Sequence, residues 1–404
     1  MISEPLINSK HKLIKNSEEL ITNKQSLNPK SERWRFSPIK EFSNTKFTEK
    51  PTTSTDNTIV PPIDDCIQIK IQNGKIQNLK SIPFEIELTE LDNDIDKIYQ
   101  KSSEFGSIVN PSNYYFSAKN TIKFSNCIIL TIDKNQIIEK PIHLIHNQSN
   151  QEEFTRIFIH CKMNSALKII ESYNNRLENS YQNSVVEILM EQSSNLDYYC
   201  IQNGNNSNWL FYTLGIIQKK NSNFINTLLS SSGYRNINEI FCDLKEEGAE
   251  TDISGLYICD KESHCDNHTK IVHSSPNSFS NETFKGILAG NSSGVFNGII
   301  VVEQDSQKIN SSQSNRNLLL SSSAQMNSNP QLEIYADDVK CSHGSTTGQI
   351  DDEALFYMRS RGISESDATK ILVKGFASEI LEKIKIKSII KFIEPKIEKL
   401  VNKN

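Results

Sequence analysis

From about Asn113 to about residue 350 the chain repeats one texture: short β-branched, apolar runs separated by Asn, Ser, Gly and Asp at intervals of about ten residues. TIKFSNCIILTI, PIHLIHN, RIFIHCK, SVVEILM, FYTLGIIQ, INEIFCDL and GVFNGIIVVE belong to this series. No helix-period segment interrupts it, which predicts a large β-sandwich, a barrel or a β-solenoid. Uniformly short strands with Asn- and Ser-rich corners favour the solenoid, where each coil stacks its corners on its neighbours. The sequence has no strict repeat, so periodicity alone leaves the sandwich open.

The flanks read differently. Residues 1 to about 60 mix Lys, Asn, Ser and Thr with few apolar positions, apart from a short helical stretch near the start and the segment SERWRFSPI (Ser31–Ile39). Thr52 to Asp65 reads as a linker, and Phe84 to Phe105 suits a helix or helix-loop. After the strand series, Asp351, Asp352 and Glu353 place negative charge at a helix start, and Gly362 sits where a C-terminal cap belongs. Ser364 and Asp367 form a capping-box start for a second helix, with Ala368, Ile371, Leu372 and Phe376 on one face. Ile386, Ile389, Ile390, Ile393, Ile397, Leu400 and Val401 keep helical spacing, with a break predicted near Pro395. The lysine-rich stretch from Glu382 to Lys403 reads as a solvated helix face or as a docking surface for a partner. The chain thus divides into an N-terminal helical, low-complexity region (1–105), a β-helix core (106–350) and a C-terminal helical domain (351–404).

Composition adds exclusions. The 404 residues are 36% hydrophobic, and 44 Lys and Arg against 49 Asp and Glu give a net charge of −5. That balance has no global pull towards nucleic acid or an anionic membrane. No segment approaches the roughly 18 apolar residues that span a bilayer, and the start carries no signal-peptide core, so the expectation is a cytoplasmic protein. The eight cysteines form no C-x-x-C pair and read as reduced, buried small hydrophobes, with Cys341 set apart.

Four stretches could carry chemistry. GSTTGQ (Gly344–Gln349) has one residue too few between its glycines for a phosphate loop and lacks the following Lys, so nucleotide hydrolysis is not expected of this chain. GNSSG (Gly290–Gly294) fits G-x-S-x-G, with Asp337 and His343 following Ser292 in hydrolase order; strand-like flanks make it a corner rather than a nucleophile elbow. Cys259–His273 gathers two cysteines and three histidines without zinc-finger spacing. If Ser263–Ile271 is a strand, His264, Asp266 and His268 share one face. Tyr335–Asp351, YADDVKCSHGSTTGQID, reads as a strand ending in a glycine corner. Cys341 and His343 then project to the same side, about 7 Å apart at Cα. Thiolate and imidazole suit iron and iron–sulfur clusters. A Cys–His nucleophile is poorly served by side chains so close on one strand.

The segment Asn317–Ile363, with PQLEIYADDVKCSHG followed by DDEALFYMRSRGI, closely resembles the C-terminal signature of the SufD branch of the SufB/SufD family, scaffolds of the Suf iron–sulfur assembly machinery. ERWRFSPI, KPIHLIHN and FKGILAGNSSGVFNGIIVVEQDSQ fit other elements of that family, and the likeness is thin before Glu104. GSTTG departs from the usual Gly-Ala-Thr-Val-Gly. The resemblance implies a right-handed parallel β-helix flanked by helical N- and C-terminal domains, in a complex with SufB and the ATPase SufC. It implies a non-enzymatic scaffold role, with His343, helped by Cys341, at the SufB interface as tentative cluster ligands shared with that partner. It also implies that Phe356, Tyr357, Ile371 and Phe376 lie in or beside the module that docks SufC. A reduced flavin accompanies such complexes, but no residue here is assigned to it. The competing expectation is a β-helix carbohydrate-active enzyme, usually secreted and with paired carboxylates on one solenoid face; the sequence displays neither feature.

Overall fold

A computed structural model describes residues 4–23, 27–47, 59–77, 82–174, 177–204, 207–231 and 233–401, with side chains from residue 13 onward. Half of the expected linker, residues 52–58, lies outside them.

Two sheets run the length of the protein. One has ten strands and the other nine, and from Asn126–Ile132 onward successive strands alternate between them, so each pairs in parallel with the strand two places on. The pairing is in strict register, as between Trp209–Gln218 and Arg235–Leu244. This is a parallel β-solenoid, and the sandwich is set aside. Its lumen holds the main apolar core, with Ile159, Ile188, Leu214, Ile240, Phe284 and Ile300 all buried. The Asn-rich corners do what their chemistry allows. Asn135, Asn164, Ser193 and Asn221 adopt φ of 62°, 57°, 57° and 55°. Asn tolerates this left-handed region better than most residues with a Cβ. Their backbone amides bond up to the next coil, for instance Asn164 N to Gln192 O at 3.0 Å and Asn221 N to Glu247 O at 3.1 Å.

The outer faces of the two sheets are covered by different ends of the chain. Trp34, Ile39, Phe42 and Phe116 pack on Tyr181, Trp209 and Phe211 of the nine-stranded sheet. Helices Glu365–Leu381 and Lys387–Val401 bury Val373, Ala377, Ile389, Ile393 and Ile397 on the ten-stranded sheet, against Tyr199, Leu229, Leu256 and others.

Several expectations need correction. Ile86–Asp92, read as helical, is a strand antiparallel to Asn126–Ile132, and only Ile95–Lys101 is helix. The strand series starts after a helix at Tyr115–Lys123, not at Asn113. Strand Ile67–Gln72 also joins the ten-stranded sheet, so residues before 106 contribute to it. The last helix runs through Pro395 unbroken. Losing one helical bond costs about 3 kcal/mol, whereas burying Ile389, Ile393, Ile397, Leu400 and Val401 gains about 1.5–3 kcal/mol each. In the preceding helix Ala368, Val373, Ala377, Ile380 and Leu381 are buried, while Ile371 faces outward at 49% exposure. The expected caps stand: Ser364 Oγ accepts from Asp367 N at 3.1 Å, and Gly362 takes φ 86°.

Candidate functional site at the open end of the solenoid

The two ends of the solenoid are unlike. At the first, Lys75–Gln77 and Ile86–Asp92 add antiparallel strands that close the sheets. At the other, Gln325–Ile334 and Val339–Gly348 form the final turn, and among the described residues no strand pairs with their outer edges. Most residues of that last strand are exposed.

Register decides what the last strand presents. Ser311 lies opposite Cys341 and Gln313 opposite His343. Ser311, Gln313, Asn315 and Asn317 are buried in the lumen, whereas the intervening Ser312, Ser314 and Arg316 are less so. Cys341 and His343 therefore both stand on the lumen side, as the strand period predicts. Cys341 is half-buried against the core, and burial pushes its thiol pKa up. His343 is exposed because no further turn covers it.

Beneath these residues the lumen turns from apolar to polar. Under Cys341, Ser311 Oγ lies 2.6 Å from Ser280 Oγ, which is 2.9 Å from His273 Nε2. Burial lowers the His273 pKa to about 4, so its ring is neutral at physiological pH. Under His343, Gln313 Nε2 donates to Glu282 Oε2 at 2.6 Å. Burial raises the Glu282 pKa to about 7. Next to these, Asn317 Nδ2 and Ser328 Oγ donate to Asn315 Oδ1 at 2.7 and 2.8 Å. Among the described residues no group of three or more His, Cys, Asp or Glu is arranged to hold a metal ion. One strand offers a thiol and an imidazole, while clusters commonly take four protein ligands. Any cluster held here needs ligands from elsewhere.

The other candidates lie apart from this end. Ser292 is buried in a corner between two strands, its Oγ 3.4 Å from the Cys259 carbonyl, so the expected corner replaces a nucleophile elbow. His264, Asp266 and His268 do share one face of strand His264–His273, on the outside of the nine-stranded sheet. The SERWRFSPI segment covers that face: Ser37 donates to Asp266, Arg33 pairs with Glu239, and the Trp34 ring lies 5.5 Å from that of His268. Burial alone would raise the Asp266 pKa, but His268 at 2.8 Å, with His264 at 4.0 Å, holds it well below the usual carboxylate range. This is a locked structural seam, and nothing in the sequence pairs residues so distant.

On the C-terminal helices, Phe356 and Tyr357 stand 73% and 60% exposed on Asp352–Ser360, a helix with no buried residue. Arg359 ties that helix to the next through Glu365 at 3.1 Å. Phe376 is engaged from below: Lys285 Nζ lies 4.8 Å from its ring and 2.8 Å from its carbonyl oxygen. Several lysines of the last segment also face the protein itself, Lys383 reaching Asp252 at 2.8 Å and Lys385 reaching Asp197 at 2.9 Å. Among the described residues no helix is long and apolar enough to cross a membrane.

Residues 143–376 match the family described as "SUF system FeS cluster assembly, SufBD core domain". An iron–sulfur cluster assembly SufBD family protein of Synechocystis sp. is 27% identical over 382 residues, 89% of this chain and 84% of that protein. The iron–sulfur cluster assembly protein SufD of Escherichia coli is 42% identical over 142 residues, 35% of this chain and 34% of the relative. The chloroplastic protein ABCI7 of Arabidopsis thaliana is 26% identical over 304 residues, 71% of this chain and 63% of the relative.

Proposed function

We infer, from the fact that the chain belongs to the SufBD family of the SUF system for iron–sulfur cluster assembly, that it is a scaffold subunit on which a cluster is built as cargo. Family membership displaces the carbohydrate-active alternative. In this reading the chain is not an enzyme and works in the cytoplasm. Its open end meets a SufB-type partner through the last strands, and the helices of 351–404 dock the SufC ATPase, beside the β-core (106–350) and the N-terminal region (1–105). Phe356 and Tyr357, with Ile371 on the adjoining helix, form the exposed part of that docking surface, and Phe376 supports it from beneath. A reduced flavin belongs to the assembled complex; this chain offers no residue to which it can be assigned.

The observation that carries the reading is the unfinished last turn, which sets His343 and Cys341 on the lumen side with no strand above them among the described residues. A partner's matching strand there satisfies the exposed edge and brings the missing ligands in one step. The exposed imidazole supplies nitrogen, and the partly covered Cys341 thiol assists. The test is a complex of this chain with SufB-type and SufC-type partners. His343→Ala should still assemble and leave the ATPase working, yet lose bound iron and acid-labile sulfide; Cys341→Ser should show a weaker loss. Normal iron and sulfide in the His343→Ala complex would overturn the assignment.

A further inference from the structure

We propose that Glu282, acting through Gln313, is a positioning residue for His343, fixing which ring nitrogen of that histidine carries the proton. The inference rests on the proposed role of His343 for its meaning, but not for its test.

Three observations carry it. The residues stack at one lumen position in successive coils, Glu282 opposite Gln313 and Gln313 opposite His343. Strands in this relation lie about 4.8 Å apart, within reach of a glutamine amide and an imidazole on the same face. Secondly, the bond from Gln313 Nε2 to Glu282 Oε2, at 2.6 Å, sets the amide's orientation. An ionised carboxylate only accepts, so it claims the NH2 end and turns the carbonyl end away. Gln313 Oε1 is buried, and among the described residues it has no hydrogen-bond partner. A buried amide oxygen without a donor is costly, and the residue stacked next to it carries a ring N–H. Thirdly, the lumen is shaped around this glutamine. A Cβ added to Gly298, on the facing sheet, would come within 2.4 Å of Gln313 Nε2 and 2.7 Å of the Phe296 ring. A larger residue at 298 would take the glutamine's place.

The consequence is directional. With Glu282 ionised, Gln313 offers His343 an acceptor, so the ring nitrogen facing the lumen holds the proton. The other nitrogen keeps its lone pair and is the one free to ligate outward. Glu282 touches no ligand itself and acts by choosing the tautomer.

The test is made on the full chain labelled with nitrogen-15 in histidine, at a pH about two units above the Glu282 value, where the carboxylate prevails. His343→Ala identifies the ring signals by their disappearance. The wild-type ring should show a dominant tautomer, and Gln313→Met and Glu282→Gln should each move the tautomer ratio about fivefold towards that of a free imidazole, the effect of one hydrogen bond. Should Gln313→Met not fold, Gly298→Ala displaces the same glutamine and is read in the same way. An unchanged ratio in the folded variants overturns the proposal. So does a shift in Glu282→Gln alone, since it would bypass Gln313. These signals are read without partners, so they stand apart from the His343→Ala assembly test. A positioned ring in a complex that assembles clusters without His343 would refute the functional reading and leave the relay intact.

Discussion

Arg156 and Glu187 face each other at 2.5 Å between Nη2 and Oε2, and both side chains are wholly buried on the outer face of the nine-stranded sheet. The same carboxylate accepts from Gly106 N and Val109 N, each at 3.0 Å, and the guanidinium lies 4.7 Å from the Phe105 ring. One ion pair thus pins the loop that leads from the N-terminal region into the solenoid. Removing one partner strands a charge away from water, so Glu187→Ala should lose about 3–5 kcal/mol in urea unfolding. The double replacement Arg156→Met with Glu187→Leu should lose less than that single variant. Equal losses would mean that the stranded charge is not the cause.

Glu153 gives the protein a pH dependence of unusual sign. It is buried, accepts from Thr155 Oγ1 at 3.2 Å and Gln182 Nε2 at 3.1 Å, and desolvation raises its pKa from 4.5 to about 7. Between those values the unfolded chain releases the proton that the folded chain keeps. Stability due to this group therefore falls as pH rises through that window, and the full cost is present above about 7. In Glu153→Gln the loss between about pH 5 and about pH 8 should shrink by on the order of 2 kcal/mol relative to wild type, measured by denaturant midpoints at each pH.

The exposed apolar residues after the core can be changed without touching the fold. Phe356→Asp and Ile371→Asp should leave the thermal midpoint within about 2 °C of wild type, because surface changes seldom exceed about 0.5 kcal/mol. Binding of the proposed SufC-type partner should weaken by about tenfold or more, as expected for an apolar anchor in an interface. Unchanged affinity in titration calorimetry would remove these residues from the docking surface.

Deleting the chain from residue 364 onward has a different outcome from these point changes. The two lost helices cover Tyr199, Leu229, Leu256, Ile258 and Ile287 on the ten-stranded sheet. A strand-rich circular dichroism signal should survive, since the lumen core is separate. The truncated chain should nonetheless bind a hydrophobic dye strongly and self-associate in sedimentation.

Local chemistry made much of this readable in advance. Strand alternation, Asn in left-handed corners, the Ser364 cap and the shared side of Cys341 and His343 all follow from neighbours a few residues apart. Helix through Pro395 and strand at Ile86–Asp92 were hidden because tertiary burial overrode propensity there. The polar column was hidden for another reason. Glu282 and Gln313 are 31 residues apart, and Ser37 and Asp266 are 229 apart. With no strict repeat in the sequence, nothing fixes which position of one coil lies over which of the next. Given the register, the charge of Glu282 at an inward position, between Ser280 and Phe284, marks the place at once.

The uncapped turn also bears on how much of this protein a cell can tolerate. Two strand edges left bare among the described residues are templates for a chain that offers a matching edge, including another copy of this one. A copy without its covering partner is a sticky particle rather than an idle spare. In the assembly proposed above, output of the two subunits therefore has to be matched molecule for molecule. Raising the dose of this chain alone should lower the yield of working assemblies, as surplus copies occupy one another's ends.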